Sequence, residues 1–232
     1  MRLLLRVVAV GAALLVAMMA RSCIQGEPLP RGDAGWSDGA GQGGEVDVAG
    51  LGFFHGDSDA PLQIVEFTDP ACPYCAQFHD DARDSLFAAY VATGEARWIT
   101  IPWVSGQYAN SRPAAVAVEC AADAEMAERV TEALYAARDR WVGAGRARST
   151  DIVQETAAGA GLAAADLVAC IDDPALAARI GRADSLATAL GIRGTPTYLI
   201  DGFPMMGAVP FAFARRAFDE RLAALSAADS LN

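Results

Sequence analysis

Basic charge is scarce in this chain. Lysine and arginine together number 18 against 29 aspartates and glutamates in 232 residues, a net charge of −11. A surface with that balance cannot neutralise a run of phosphates, so a nucleic-acid partner is not expected. The acidity instead suits solubility. A long apolar run is also missing. Val7–Ala20 is fourteen residues, short of the 20 or so that span a bilayer. Finally, there is no second pair of metal ligands. No second CxxC and no HxxxH follow the one CxxC, and Cys120 and Cys170 stand fifty residues apart. A four-ligand zinc site needs two such pairs, so no metal is expected. What remains is a chain 53% hydrophobic, enough for one domain of about 150–200 residues with appendages.

The N-terminus reads as a targeting segment over residues 1–22. Arg2 and Arg6 precede the apolar run and Arg21 follows it, the layout of a secretory signal. Counting back to Leu3 gives eighteen residues with Arg6 able to snorkel, the layout of an uncleaved anchor. Ala20-Arg21-Ser22 ahead of Cys23 suits cleavage there, with lipidation of Cys23 as a third outcome. Each outcome puts the folded part outside the cytoplasm, where disulfides persist. Residues 23–50 are rich in Gly, with Pro28 and Pro30 and few apolar residues, and read as a flexible linker. Trp36 is its one large apolar side chain and is taken as solvated.

The rest of the chain is organised around Glu66-Phe67-Thr68-Asp69-Pro70-Ala71-Cys72-Pro73-Tyr74-Cys75. Leu62 to Phe67 is short, apolar and β-branched, the pattern of a central strand. A glutamate inside such a strand is costly to bury without a role. Pro73 suits the first turn of a helix that runs to a stop at Gly94. Cys72 would then sit where helix-terminal N–H groups favour a thiolate, with Cys75 within disulfide reach. His79, four residues after Cys75, is read as a helix-face residue near the site that could meet a client or a carboxylate. His55 is read as a surface turn residue. Arg97 to Pro102 is a second strand, parallel to the first. From about 108 to 190 the pattern is helical: five helices, with Asp123, Thr150 and Asp173 as N-caps and a basic loop at 143–148. Gly194 to Ile200 reads as a turn, a proline and a strand, Asp201-Gly202 as a hairpin turn, and Phe203 to Gly207 as a second strand. A last amphipathic helix begins at Pro210, its inner face Phe211, Phe218, Leu222 and Leu225.

A lone CxxC is ambiguous between redox pair and metal half-site. Joined to Glu66-Phe67-Thr68-Asp69 before it, a helical insertion, and Gly194-Thr195-Pro196-Thr197 over a hundred residues later, it resembles the thioredoxin-like superfamily. Within that superfamily it is similar to the DsbA-type thiol–disulfide oxidoreductases, over residues 51–228. The resemblance implies an α/β thioredoxin fold with an inserted helical subdomain. It implies Cys72 as the surface nucleophile and Cys75 as the buried resolving thiol. Pro196 would be a cis-proline facing them, and Glu66 an acid moving the proton of the resolving thiol. Thr195, beside Pro196, would pair with an extended client strand, and Pro73 and Tyr74 would contact the client. No cofactor is implied beyond the redox disulfide. Tyr74 stands where the strongest oxidants carry His, so a less acidic Cys72 is expected here than in those enzymes. Thr195 is similar to the isomerase- and reductase-like members.

Cys120 and Cys170 fall within one helical subdomain. In an oxidising compartment they are expected to form a structural disulfide; the alternative is two free thiols buried as small hydrophobes. The function expected is disulfide exchange with exported, cysteine-containing client proteins, as a disulfide oxidase. A membrane redox partner would restore the active form. No dimerisation pattern is visible, so a monomer is expected. A reductase or isomerase is the alternative within this chemistry; a client-binding, chaperone-like module and a single-thiol, glutathione-dependent relative lie outside it.

Overall fold

The computed structural model describes residue 43 and residues 45–230. The readings on the targeting segment, Cys23 and Trp36 lie outside the described residues.

Five strands form one mixed sheet, β1 (Phe53–His55), β2 (Leu62–Thr68), β3 (Ala96–Pro102), β4 (Thr197–Ile200) and β5 (Phe203–Met206), in the order β1-β3-β2-β4-β5. β2 pairs parallel with β3 and antiparallel with β4. All seven residues of β2 are buried, as its apolar, β-branched sequence dictates for a strand covered on both faces. Helical residues 73–91, called α1, make the β2–β3 crossover. Two π-helical turns, His79–Arg83 and Phe87–Val91, interrupt them, a feature that the apolar periodicity does not announce.

Alternation along β2 sorts its side chains onto two faces. Leu62 and Ile64 pack with Trp98, Tyr198 and Phe78, and with Ala214 and Phe218 of the C-terminal helix α8 (Phe211–Asp229). Val65 and Phe67 pack with Ile99, Ile101 and Leu199 under Ala183 and Ala187 of α7 (Pro174–Ala189). Glu66 lies on the first face, between Thr100 and Tyr198 in register.

Between β3 and β4 lie six helices, not five: α2 (Ser111–Asp123), α3 (Ala127–Ala136), α4 (Arg138–Trp141), α5 (Arg146–Gly159), α6 (Ala164–Asp172) and α7. They have their own core around Val118, Val130, Leu134, Trp141 and Val153. Two of the three expected caps fail. Asp123 ends α2 instead of starting α3, and Thr150 lies inside α5, where its hydroxyl donates back to Arg146 O at 3.1 Å. The basic loop is half helix, since residues 146–148 form the first turn of α5. Asp173 does cap α7, accepting from Ala175 N at 2.8 Å. Cys120 of α2 and Cys170 of α6 are joined by a disulfide.

The linker boundary also moves. Val46 pairs through its backbone N–H and C=O with the buried Gln63 side chain at 2.7 and 3.0 Å, and Val46 and Val48 pack on the sheet. A short apolar alternation at 46 and 48 is sufficient to dock residues placed in the linker.

Candidate active site

Asp69 and the turn at 69–72 set the site. Asp69 O accepts from Cys72 N at 2.9 Å, and Asp69 Oδ1 from Ala71 N at 2.9 Å. Arg138 of α4 donates Nε and Nη2 to Ala71 O at 2.9 and 2.8 Å, tying the turn to the helical insertion. Cys72 is the N-cap of α1, its sulfur accepting from Cys75 N at 3.3 Å, and Pro73 takes the first helical position.

Cys72 and Cys75 are both covered, at 0% and 1% exposure. The expectation of a surface nucleophile is corrected on this point. The Tyr108 hydroxyl stands 3.4 Å from Cys72 Sγ and the Thr195 carbonyl oxygen 3.3 Å from it. Tyr108, Ala76 and Tyr135 pack around the pair. The exposed parts of the motif are Pro73 and Tyr74. The Thr195–Pro196 peptide is cis, and Pro196 O accepts from Gly207 N at 2.9 Å.

The two thiols are driven apart in acidity. A hydrogen bond from Cys75 favours the Cys72 thiolate, and, against burial, the Tyr108 hydroxyl adds to it; Cys72 is lowered to about 5. Burial pushes the Cys75 thiol well up, and the neighbouring Cys72 charge pushes it further. One sulfur is thus ionised at neutral pH and its partner protonated.

Glu66 is buried on β2, six residues before Cys72. Its Oε2 accepts from Trp98 Nε1 at 2.9 Å and Thr100 Oγ1 at 3.4 Å. Burial raises its pKa, with the Trp98 hydrogen bond working the other way. A cavity of about 10 Å³, lined among others by Glu66, Thr68, His79, Glu128 and Tyr135, adjoins it, which is room for roughly one water. Tyr135 OH and Thr68 Oγ1 are 2.9 Å apart.

Three side chains at this site had no assigned role in the sequence reading. Tyr108 is thirty-six residues from Cys72, in a polar loop without a pattern that points to the motif. Asp69 stood in the motif without a function; burial raises its carboxyl to about 6. Glu128, with His55 and His79, makes an ion cluster: His55 Nε2 is 3.1 Å and Arg83 Nη2 2.6 Å from Glu128 Oε2, and His79 Nε2 is 3.8 Å from Oε1. His55 is therefore a half-buried strand residue with a carboxylate partner, not a surface turn residue. His79, Glu128 and Glu132 each bring a potential ligand atom within 4.8 Å of the others. Arg83 already supplies fixed positive charge to Glu128, so the cluster is accounted for as ion pairs.

Comparisons with known proteins agree with this geometry. Putative protein-disulfide oxidoreductases of Rickettsia bellii and Rickettsia conorii are each 23% identical over 150 residues, 63% of this chain and 56% and 52% of theirs. The chain spans about half the length of the curated relatives it matches. Oxidised BdbD from Bacillus subtilis superposes with a TM-score of 0.67 at 20% identity, over 79% of this chain and 98% of its own. Wolbachia pipientis alpha-DsbA1 gives 0.66 at 22% identity, over 75% and 92%. A thioredoxin-like oxidoreductase from Silicibacter pomeroyi gives 0.60 at 25% identity, over 72% and 90%. The fold is thus the DsbA-type one, a thioredoxin sheet with a helical insertion. A family model described as Thioredoxin matches residues 49–220, and the chain belongs to that family.

Proposed function

We propose that the protein is a thiol–disulfide oxidoreductase working as a disulfide oxidase on exported, cysteine-containing polypeptides. The observation that carries this is the Cys72–Cys75 pair at the head of α1 against the cis Thr195–Pro196 peptide, an arrangement that lowers the Cys72 thiol and raises the Cys75 thiol. A stabilised Cys72 thiolate stabilises the reduced form, and a stabilised reduced form makes the disulfide a stronger oxidant. Acidity of this degree comes without a histidine between the cysteines.

The exchange balances without a further cofactor. A client thiolate attacks Cys72 of the Cys72–Cys75 disulfide, and Cys75 leaves and takes a proton. The second client thiolate attacks the client sulfur of the mixed disulfide, and Cys72 leaves as thiolate. The client loses two electrons and two protons; the Cys72–Cys75 pair takes both electrons, one proton goes to Cys75, Cys72 is left as thiolate, and the second proton goes to solvent. Glu66, with its raised pKa and its cavity, serves the proton at Cys75. Thr195 beside Pro196 offers backbone to an extended client, while Tyr74 and Met206, each 56% exposed, give it apolar contact. A membrane redox partner, a quinone-linked reoxidant in this reading, then takes the electrons. The site lies outside the cytoplasm, consistent with the targeting pattern and the Cys120–Cys170 disulfide, and works as a monomer.

The test is the reduction potential of the Cys72–Cys75 pair against glutathione. An oxidase is expected toward about −120 mV, while a value near about −270 mV would mean a reductase. Full exchange activity in Cys72→Ala would overturn both.

A further inference from the structure

We propose that Tyr108 is a catalytic residue of this site: its phenol O–H, held against Cys72 Sγ by the β3–α2 loop, stabilises the leaving Cys72 thiolate. In this chain the helical insertion thereby does the work of a positive side chain between the cysteines. The inference rests on the oxidoreductase reading above and names a group that tunes its rate and potential.

The geometry comes first. The dipeptide between the cysteines is Pro73-Tyr74, which carries no charge, and Tyr74 is largely exposed. Tyr108 OH is 3.4 Å from Cys72 Sγ, within hydrogen-bond reach for sulfur. Once the sulfur is ionised it can only accept, so the phenol is the donor. Burial, with the nearby Cys72 charge, pushes the Tyr108 phenol up from its ordinary value. It therefore keeps its proton at neutral pH, where Cys72 has lost its own.

The loop around Tyr108 is fastened on every side. Trp103 N donates to Thr68 O at 2.7 Å, next to the motif. Gln107 Nε2 donates to Arg193 O at 2.7 Å, close to the Thr195–Pro196 turn. Ser111 Oγ donates to Tyr108 O at 3.1 Å. Asn110 adopts a φ of 63°, and its Nδ2 donates to Val142 O and Ala144 O at 3.0 and 2.9 Å, and to Trp141 O at 3.3 Å. A hydrogen bond from a preorganised donor costs no reorganisation when charge develops on the sulfur. The donor acts on the second step, where Cys72 leaves; a leaving thiol of lower pKa leaves faster.

Tyr108→Phe removes the O–H and keeps the ring. Its thiolate absorbance, titrated against pH in the reduced protein, should show Cys72 about one pH unit less acidic, the size of a hydrogen bond to a charged group. The equilibrium with glutathione should shift about tenfold against the reduced form, roughly 30 mV more negative. The mixed disulfide with a cysteine-containing model peptide should persist longer. Replacement of Tyr108 by a fluorinated tyrosine, a stronger donor of nearly the same shape, should move all three readouts the opposite way. This arm stands by itself if Tyr108→Phe fails to fold. A purely packing role would leave acidity and potential unmoved in both variants, and that result overturns the proposal while parent exchange stays intact. Loss of the oxidoreductase reading looks different: the parent itself would not exchange, or Cys72→Ala would.

Discussion

Asp69 is the residue whose position costs the fold most visibly. It is fully buried, one oxygen accepts from Ala71 N at 2.9 Å, and the other has no hydrogen-bond partner. Burial raises its pKa from 3.8 to about 6, with the Ala71 N–H opposing and the Cys72 charge adding to the rise. A raised acid favours its neutral form in the fold. Its contribution is complete below about pH 4 and is lost as pH rises through about 6. A shift from 3.8 to about 6 amounts to about 3 kcal/mol. Asp69→Asn in the reduced protein should therefore gain stability relative to the parent as pH rises from 4 to 7. Thermal melts across that range check it, and parallel curves for parent and variant would exclude the assignment. A cost of this kind at a motif turn is typical of a functional position. At this scale the sequence shows what is contiguous. Glu66, Cys72 and Cys75 announce themselves because strand, turn and helix carry them within ten residues. Tyr108 and Glu128 do not, because what brings them to the site is the packing of an insertion against a sheet.

Among the elements, the strands and the hairpin were the more legible part. β2 is apolar on both faces, and Asp201 and Gly202 adopt φ of 48° and 78° between paired β4 and β5, as their side chains demand. Helix ends were less so. Asp123 and Thr150 look like caps, but no local signal tells a cap from a residue inside or ending a helix, and the core around Trp141 decides between them. The disulfide between Cys120 and Cys170 joins α2 to α6 across a separation of 50 residues. In the chain-entropy account a loop of that length contributes about 4 kcal/mol. The double variant Cys120→Ser, Cys170→Ser should melt roughly 10 °C lower than the parent. Exchange at Cys72 should continue below that temperature, because neither cysteine is among the residues packed around Cys72 and Cys75. An unchanged melting temperature would show that the cross-link carries no stability.

For the molecule as a whole, the telling feature is how the insertion is held to the sheet. Glu128 of α3 receives Arg83 from α1 and His55 from β1, with His79 of α1 on its other oxygen. The Arg83 guanidinium also lies 3.8 Å over the Phe87 ring. Against burial, the neighbouring His55 and His79 imidazoles and the Arg83 charge lower Glu128 to about 2. Burial works against the charged form of His79, but the Glu128 and Glu66 carboxylates together outweigh it and raise its pKa above 6.5. The two shifts fix a window. The Glu128 contribution is present above its ordinary 4.5 and lost as pH falls through about 2. The His79 contribution is complete below 6.5 and lost as pH rises through its raised value. The clamp is therefore strongest between about pH 4.5 and 6.5. Glu128→Gln removes the acceptor charge and leaves Arg83 and both histidines facing one another, a loss of about 3 kcal/mol for a partly buried network. Melting the parent and the variant from pH 2 to pH 9 should show their difference greatest in that window and narrowing on both sides. A difference independent of pH would mean that Glu128 holds the insertion by shape and neutral hydrogen bonds, with the charges incidental.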